Sequence, residues 1–148
     1  EPFLIIKILL SLRYMAQKLD LGYDLFDSIM KAREIQAQNM AQFLVEQARQ
    51  SGLPILIHGV AYKPGVPYVD GSYSLLVGHY CKELGYDCMK VDPHVFPDTG
   101  PYSAVVLLAH EELYCKLNDD SIIVDPWRKT PQLEGVEVIH YGNTRETI

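Results

Sequence analysis

The chain has 148 residues, 48% of them apolar and 22% charged, the balance of a folded globular protein with room for one medium domain, or one domain plus an appended helix. That composition excludes disorder, collagen-like repeats and a disulfide-stapled miniprotein. With 13 Lys plus Arg against 19 Asp plus Glu the net charge is −6, so the basic field that nucleic acid requires is missing and any anionic ligand must be held by local groups.

Residues 1–52 contain no run that alternates with period two. The most apolar stretch, residues 3–12, is too short to span a bilayer and carries Lys7 in its middle. It also lacks a basic leader and a cleavage site, so it does not read as a secretory signal. Opening on Glu1-Pro2-Phe3 without Met, the chain reads as a piece of something longer. Residues 7–19 are expected to be helical, with Leu9, Leu12 and Ala16 on one side. Asp20, Gly22 and Asp24 mark a break. A second helix then follows Leu25, Phe26, Ile29, Met30, Arg33, Ala37, Met40, Ala41, Leu44 and Val45, with Asp24 as N-cap and Gly52 as the stop.

From Leu53 the texture changes. Residues 54–60 form a short apolar run, as expected of a strand buried on both faces. A Gly- and Pro-containing loop, 61–71, leads to a helix carrying Leu76, Val77, Tyr80, Cys81 and Leu84 that Gly85 ends. Further strands are expected at 88–91, 104–109, 121–125 and 136–141, with a short helix at about 111–117. Strands alternating with helices predict an α/β fold: a Rossmann-like parallel sheet flanked by helices, spanning 53–148 and preceded by a long helical arm, 1–52, that connects or dimerises.

In such a sheet, ligands bind at the carboxyl ends of the strands, near the switch in strand order. The loop after the first strand reads Gly59-Val-Ala-Tyr-Lys-Pro-Gly-Val-Pro-Tyr-Val-Asp-Gly-Ser72. Ala61 and Pro64 break any G-x-G-x-x-G dinucleotide fingerprint. Lys63 beside a helix amino end suits a diphosphate; the same loop also reads as a surface segment with a solvated Lys and Asp70 or Ser72 as a simple cap. Val124-Asp-Pro-Trp-Arg128 ends another strand on the same rim. Arg128 offers a planar, permanently charged fork for phosphate, although a lone Arg at a strand end is more often a surface salt bridge. Trp127 stacks on a base or plugs the edge of the core.

The other reactive residues are unremarkable in sequence. Cys81, Cys88 and Cys115 form no Cys-x-x-Cys pair and read as reduced, intracellular, structural thiols, two in helices and one in a strand. The histidines His58, His79, His94, His110 and His140 stand singly, without metal-ligand spacing. His58 falls in a buried run as a satisfied core residue, and His94 in a loop. No nucleophile elbow, Ser-His-Asp set or P-loop occurs.

Ala61-Tyr-Lys-Pro-Gly after a buried strand, then Val91-Asp-Pro-His94, Ala104-Val-Val-Leu-Leu and Ile123-Val-Asp-Pro-Trp-Arg128 stand in one order. In that order they resemble the carboxy-terminal, nucleotide-sugar-binding domain of the UDP-glucose/GDP-mannose dehydrogenase family, and 1–52 resembles its central helical connector. The resemblance implies a cytoplasmic parent enzyme that oxidises C6 of a UDP-sugar to the uronate in two NAD-dependent steps, supplying surface-polysaccharide precursors. It implies NAD held mainly by an amino-terminal domain outside these residues, and a homodimer made through the helical arm. It places Tyr62, Lys63 and Arg128 on the substrate, and Glu1 where the family has a catalytic Asp. No metal, nucleic acid or membrane enters this picture. The catalytic cysteine and the Gly-rich loop are not among the 148 residues, so this piece alone is expected to be inactive. Asp70 stands where the family commonly has Arg, while Ser72 keeps the family serine; Gln36 replaces a central-helix Asn, with Asn39 after it. Those departures leave open a second reading, a degenerate non-catalytic nucleotide-binding or dimerisation domain. A different Rossmann-like NAD-binding domain is disfavoured by the missing fingerprint.

Overall fold

The structure, a computed structural model, describes residues 2–110 and 112–142, with side chains from residue 7 onward. Two helices open it, α1 (Pro2–Lys18) and α2 (Leu25–Ser51). Leu9, Leu12 and Ala16 face inward on α1 as their spacing predicts, and Ala16 is buried. Asp24 caps α2 by accepting the Asp27 amide at 2.9 Å, which satisfies one of the orphan donors of the first turn. Gly52 ends α2 at φ +74° with its N–H on the Ala48 carbonyl, a left-handed cap that glycine adopts without steric cost. The apolar stripe of α2 is buried only in its second half, from Ala37 to Ala48; Leu25 and Ile29 stay exposed.

Five strands follow: β1 (Ile55–His58), β2 (Cys88–Val91), β3 (Val105–Leu108), β4 (Ile122–Asp125) and β5 (Glu137–His140), with α3 (Tyr73–Glu83) between the first two. All pair in parallel, in the order β2-β1-β3-β4-β5. The chain is therefore an α/β protein with a Rossmann-like sheet. It runs outward from β1 to β2 and returns to the other side of β1 for β3, so the strand order switches between β1 and β3. Ser72 starts α3 by accepting the Leu75 amide.

The two faces of the sheet are covered differently. Ile55, Val105, Leu107, Ile122 and Val124 pack against the buried stripe of α2 and against Val77 and Cys81 of α3. This core runs across residue 52, because the last turns of α2 are part of it. Leu56, Val106, Leu108, Ile123 and Val138 face the other way. There the expected helix at 111–117 does not form among the described residues 112–117, and Cys115 sits in irregular chain. Its backbone donors go elsewhere: Lys116 N–H to Thr99 at 2.8 Å, Asn118 N–H to Tyr102 at 2.8 Å, and Tyr114 N–H to His58 Nε2 at 3.2 Å. An amide already paired across the fold has no use for the carbonyl four residues back. Leu113, Cys115 and Leu117 still cover the sheet, from a strap rather than a helix. Among the described residues no helix is long and apolar enough to cross a membrane.

Candidate functional site

The carboxyl ends of β1 and β3 meet at the switch in strand order, where open α/β sheets leave a crevice. Two buried aspartates shape it, each from a Val-Asp-Pro sequence. Asp92, after β2, accepts the Val60 and Ala61 amides on Oδ2 at 3.0 and 2.9 Å and the His94 amide on Oδ1 at 2.9 Å. Burial alone would raise its pKa, but the amides of Ala61, His94 and Val60 outweigh it and hold the carboxyl below its ordinary value. Asp125, at the end of β4, accepts the Trp127, Arg128, Lys129 and Thr130 amides between 2.8 and 3.0 Å. Its pKa is lowered in the same way, burial being overcome by Thr130 and the other amides of that turn.

Gly59, at φ +90°, opens the loop after β1. A Cβ there would lie 2.7 Å from the His110 ring, so only glycine lets the imidazole lie across this backbone. His110 Nε2 in turn stands 3.1 Å from the Ala61 carbonyl. The loop that carries Tyr62 and Lys63 is thus tied at its root by Asp92 from one side and by His110 from the other.

Two adjoining clefts open on this rim. The first, about 540 Å³, lies between Gln36 and Asn39 of α2, Tyr73 of α3, and Trp127 and Tyr141. The second, about 580 Å³, is bounded by Lys63, Asp92, His94, Glu112 and Tyr114. Tyr62, His110 and Trp127 belong to both walls. The first cleft is aromatic and neutral; the second concentrates the charge. Trp127 is held by its indole N–H, which donates to the Leu108 carbonyl at 3.1 Å, while its ring stays half exposed. It plugs the strand end and presents a face to both clefts at once.

Of the residues singled out in sequence, Tyr62 and Lys63 lie together on the second cleft, with Lys63 exposed. Arg128 lines neither of these clefts. Its backbone has φ +57°, and its guanidinium donates to the Gly142 carbonyl. Glu1 lies outside the described residues. Asp70 is exposed and lines neither cleft, whereas Ser72 caps α3 and borders the first. Gln36 and Asn39, noted only as departures from a motif, border the first cleft, and His94 the second.

His58 is buried as expected but only half paired: Nε2 accepts the Tyr114 amide, Nδ1 has no partner, and burial pushes its pKa down to about 4. The Tyr114 ring lies 4.0 Å from it, centroid to centroid, and its buried hydroxyl also lacks a partner. His110 and Tyr114 are the residues that sequence reasoning missed. The one available signal was position: both follow a buried strand beside the switch point.

The resemblance places NAD mainly on a domain outside these residues, and the amino end of α3 on this rim is not built like a pyrophosphate site. A pyrophosphate needs a helix amino end with free amides close to a glycine turn. Here Ser72 occupies the Leu75 amide, and the hydroxyls of Ser72 and Ser74 bond to each other and to the Gly59 carbonyl. No group of three or more His, Cys, Asp or Glu among the described residues is placed to hold a metal ion. No family model, curated protein or solved structure matches the chain.

Proposed function

We propose that this chain is the UDP-sugar-binding, carboxy-terminal part of a cytoplasmic, NAD-dependent nucleotide-sugar 6-dehydrogenase, inactive without the part that holds NAD and the catalytic cysteine. The observation that supports it is the pairing of Lys63 and Tyr62 on two clefts that share a wall at the strand-order switch. A diphosphate sits beside Lys63 in the second cleft, where the ammonium offsets the carboxylates of Asp92 and Glu112. The base or the sugar extends past Trp127 into the neutral first cleft, toward the carboxamides of Gln36 and Asn39. Calorimetric titration with UDP, GDP and NAD tests this. UDP is expected to bind, and Lys63→Ala to weaken it by about 1.5–3 kcal/mol, the range of a charge-assisted hydrogen bond. Undiminished UDP binding by Lys63→Ala would place the ligand elsewhere.

A second reading, a degenerate domain that dimerises through the arm, is favoured by the engagement of Arg128 with Gly142 and by the exposed apolar residues of the arm. Tyr14, Met15, Leu19, Tyr23, Leu25 and Ile29 are each more than two-fifths exposed, an apolar display that a second copy of the chain would cover. Sedimentation separates the readings: a monomer that binds UDP excludes the scaffold, and a dimer that binds no nucleotide excludes the enzyme part.

A further inference from the structure

One carboxylate sets both sides of the second cleft. Asp92 is buried, and its Oδ2 accepts the amides of Val60 and Ala61, at the root of the loop that carries Lys63. Its Oδ1 accepts the amide of His94 at 2.9 Å. Each side is also closed on itself. The Tyr62 N–H donates to the Tyr68 carbonyl at 2.6 Å. Asp92 and Phe96 exchange two main-chain hydrogen bonds, at 2.9 and 3.0 Å, around Pro93, His94 and Val95. Two closed turns rooted on one carboxylate thus bring Lys63 and His94, both exposed, to the same cleft. Resting on the nucleotide-sugar reading, we propose that His94 is a second phosphate-binding residue, which meets the diphosphate as an imidazolium alongside Lys63 and makes its capture proton-linked.

The charge around the cleft calls for such a group. Its walls carry Lys63 from the loop after β1, Asp92 and His94 from the turn after β2, and His110, Glu112 and Tyr114 from the chain after β3. Lys63 alone does not outweigh the carboxylates of Asp92 and Glu112, and a diphosphate esterified at both ends brings two further negative charges. A protonated histidine offsets that surplus and adds a charge-assisted N–H donor. His110 is less suited to the task. Its Nε2 stands 3.1 Å from the Ala61 carbonyl, which can only accept, and its ring is packed over Gly59. The turn at His94 is fixed through main-chain atoms, and the residue is exposed, so its imidazole can engage a ligand without breaking the turn. Histidine is the side chain that ordinarily changes charge between about pH 5 and 8. A bound diphosphate favours the imidazolium, so binding takes up a proton and weakens as pH rises through that range.

The test is calorimetric titration with UDP-glucose across this pH range, in buffers of different ionisation enthalpy. Both phosphates of UDP-glucose are esterified, so its charge is constant there and any slope belongs to the protein. The native chain is expected to bind about tenfold more weakly at about pH 8 than at about pH 5.5, and to take up a proton on binding. His94→Gln is expected to show the weak affinity of the alkaline native chain at every pH, with no proton uptake. His94→Lys, a fixed cation at the same place, is expected to keep the tighter affinity throughout, which a merely structural role for His94 would not produce. Native binding that is flat with pH, or a slope retained by His94→Gln, would overturn the proposal and leave the nucleotide-sugar reading standing. No binding of UDP-glucose at any pH would overturn both.

Discussion

The two Val-Asp-Pro corners use the same three residues to different ends. Asp125 closes its own turn: its four amide donors come from residues 127–130. Asp92 takes one amide locally, from His94, and two from Val60 and Ala61, more than thirty residues earlier. The first corner is a local motif, and the second is a tertiary clamp on the loop that carries Lys63. Each also has a histidine nearby. His58 pairs in register with Val91, beside the Asp92 corner, and His140 Nε2 lies 3.9 Å from Asp125 Oδ2. The difference teaches that one tripeptide at one kind of strand end acquires its role from whichever amides lack partners around it.

Asp92→Ala is the strongest way to break the comparison. It strands the amides of Val60 and Ala61, both within buried residues, at about 1–3 kcal/mol each. Urea unfolding is expected to show a loss of about 4 kcal/mol, together with weaker UDP binding; Asn at this position keeps an oxygen for those amides and is expected to be milder. Acid sharpens the contrast next. Because His58 is neutral in the fold with a pKa of about 4 against an ordinary 6.5, the unfolded chain binds its proton first. Stability is therefore complete above pH 6.5 and falls as pH drops toward 4, by about 3 kcal/mol. The two depressed aspartates contribute stability above their ordinary values and lose it only at still lower pH, as pH falls through their folded pKa values. Denaturant titration across pH 4 to 7 is expected to show this slope in the native chain and not in His58→Gln.

Asp125→Ala is expected to be milder than Asp92→Ala, about 2 kcal/mol by the same unfolding measurement. Three of its four donors belong to exposed residues, Trp127, Arg128 and Lys129, so water replaces much of what the carboxylate held. A loss equal to that of Asp92→Ala would erase the distinction between the corners. Arg128→Ala has the smallest expected effect. Its guanidinium is already engaged by Gly142, so UDP affinity is expected to change by under about 1 kcal/mol, less than in Lys63→Ala. Equal losses in calorimetry would show that Arg128 leaves Gly142 and joins Lys63 on the phosphate.

Much of this architecture was legible in the sequence because it depends on short-range patterns. The buried runs at 54–60, 104–109 and 121–125 give β1, β3 and β4, trimmed by one to three residues at their ends. Asp24 and Gly52 bound α2 as expected because a cap is settled within four residues of its position. At the candidate site, Lys63 and Tyr62 were visible as residues after a buried strand. Arg128 was visible in the same way, yet its φ of +57° and its carbonyl partner sixteen residues past Pro126 were not.

By itself, then, the sequence determined five strands, three of them as buried runs, the helix between the first two and the points where α2 begins and ends, all through patterns among residues near one another in the chain. The tertiary structure decided that 112–117 is a strap, since its Tyr114 amide is taken by His58, fifty-six residues away. It also decided that Asp92 clamps the Lys63 loop and that His110 lies across Gly59 between the two clefts. In each case a polar group found its partner across the fold, and the identity of that partner is set by packing rather than by spacing along the chain.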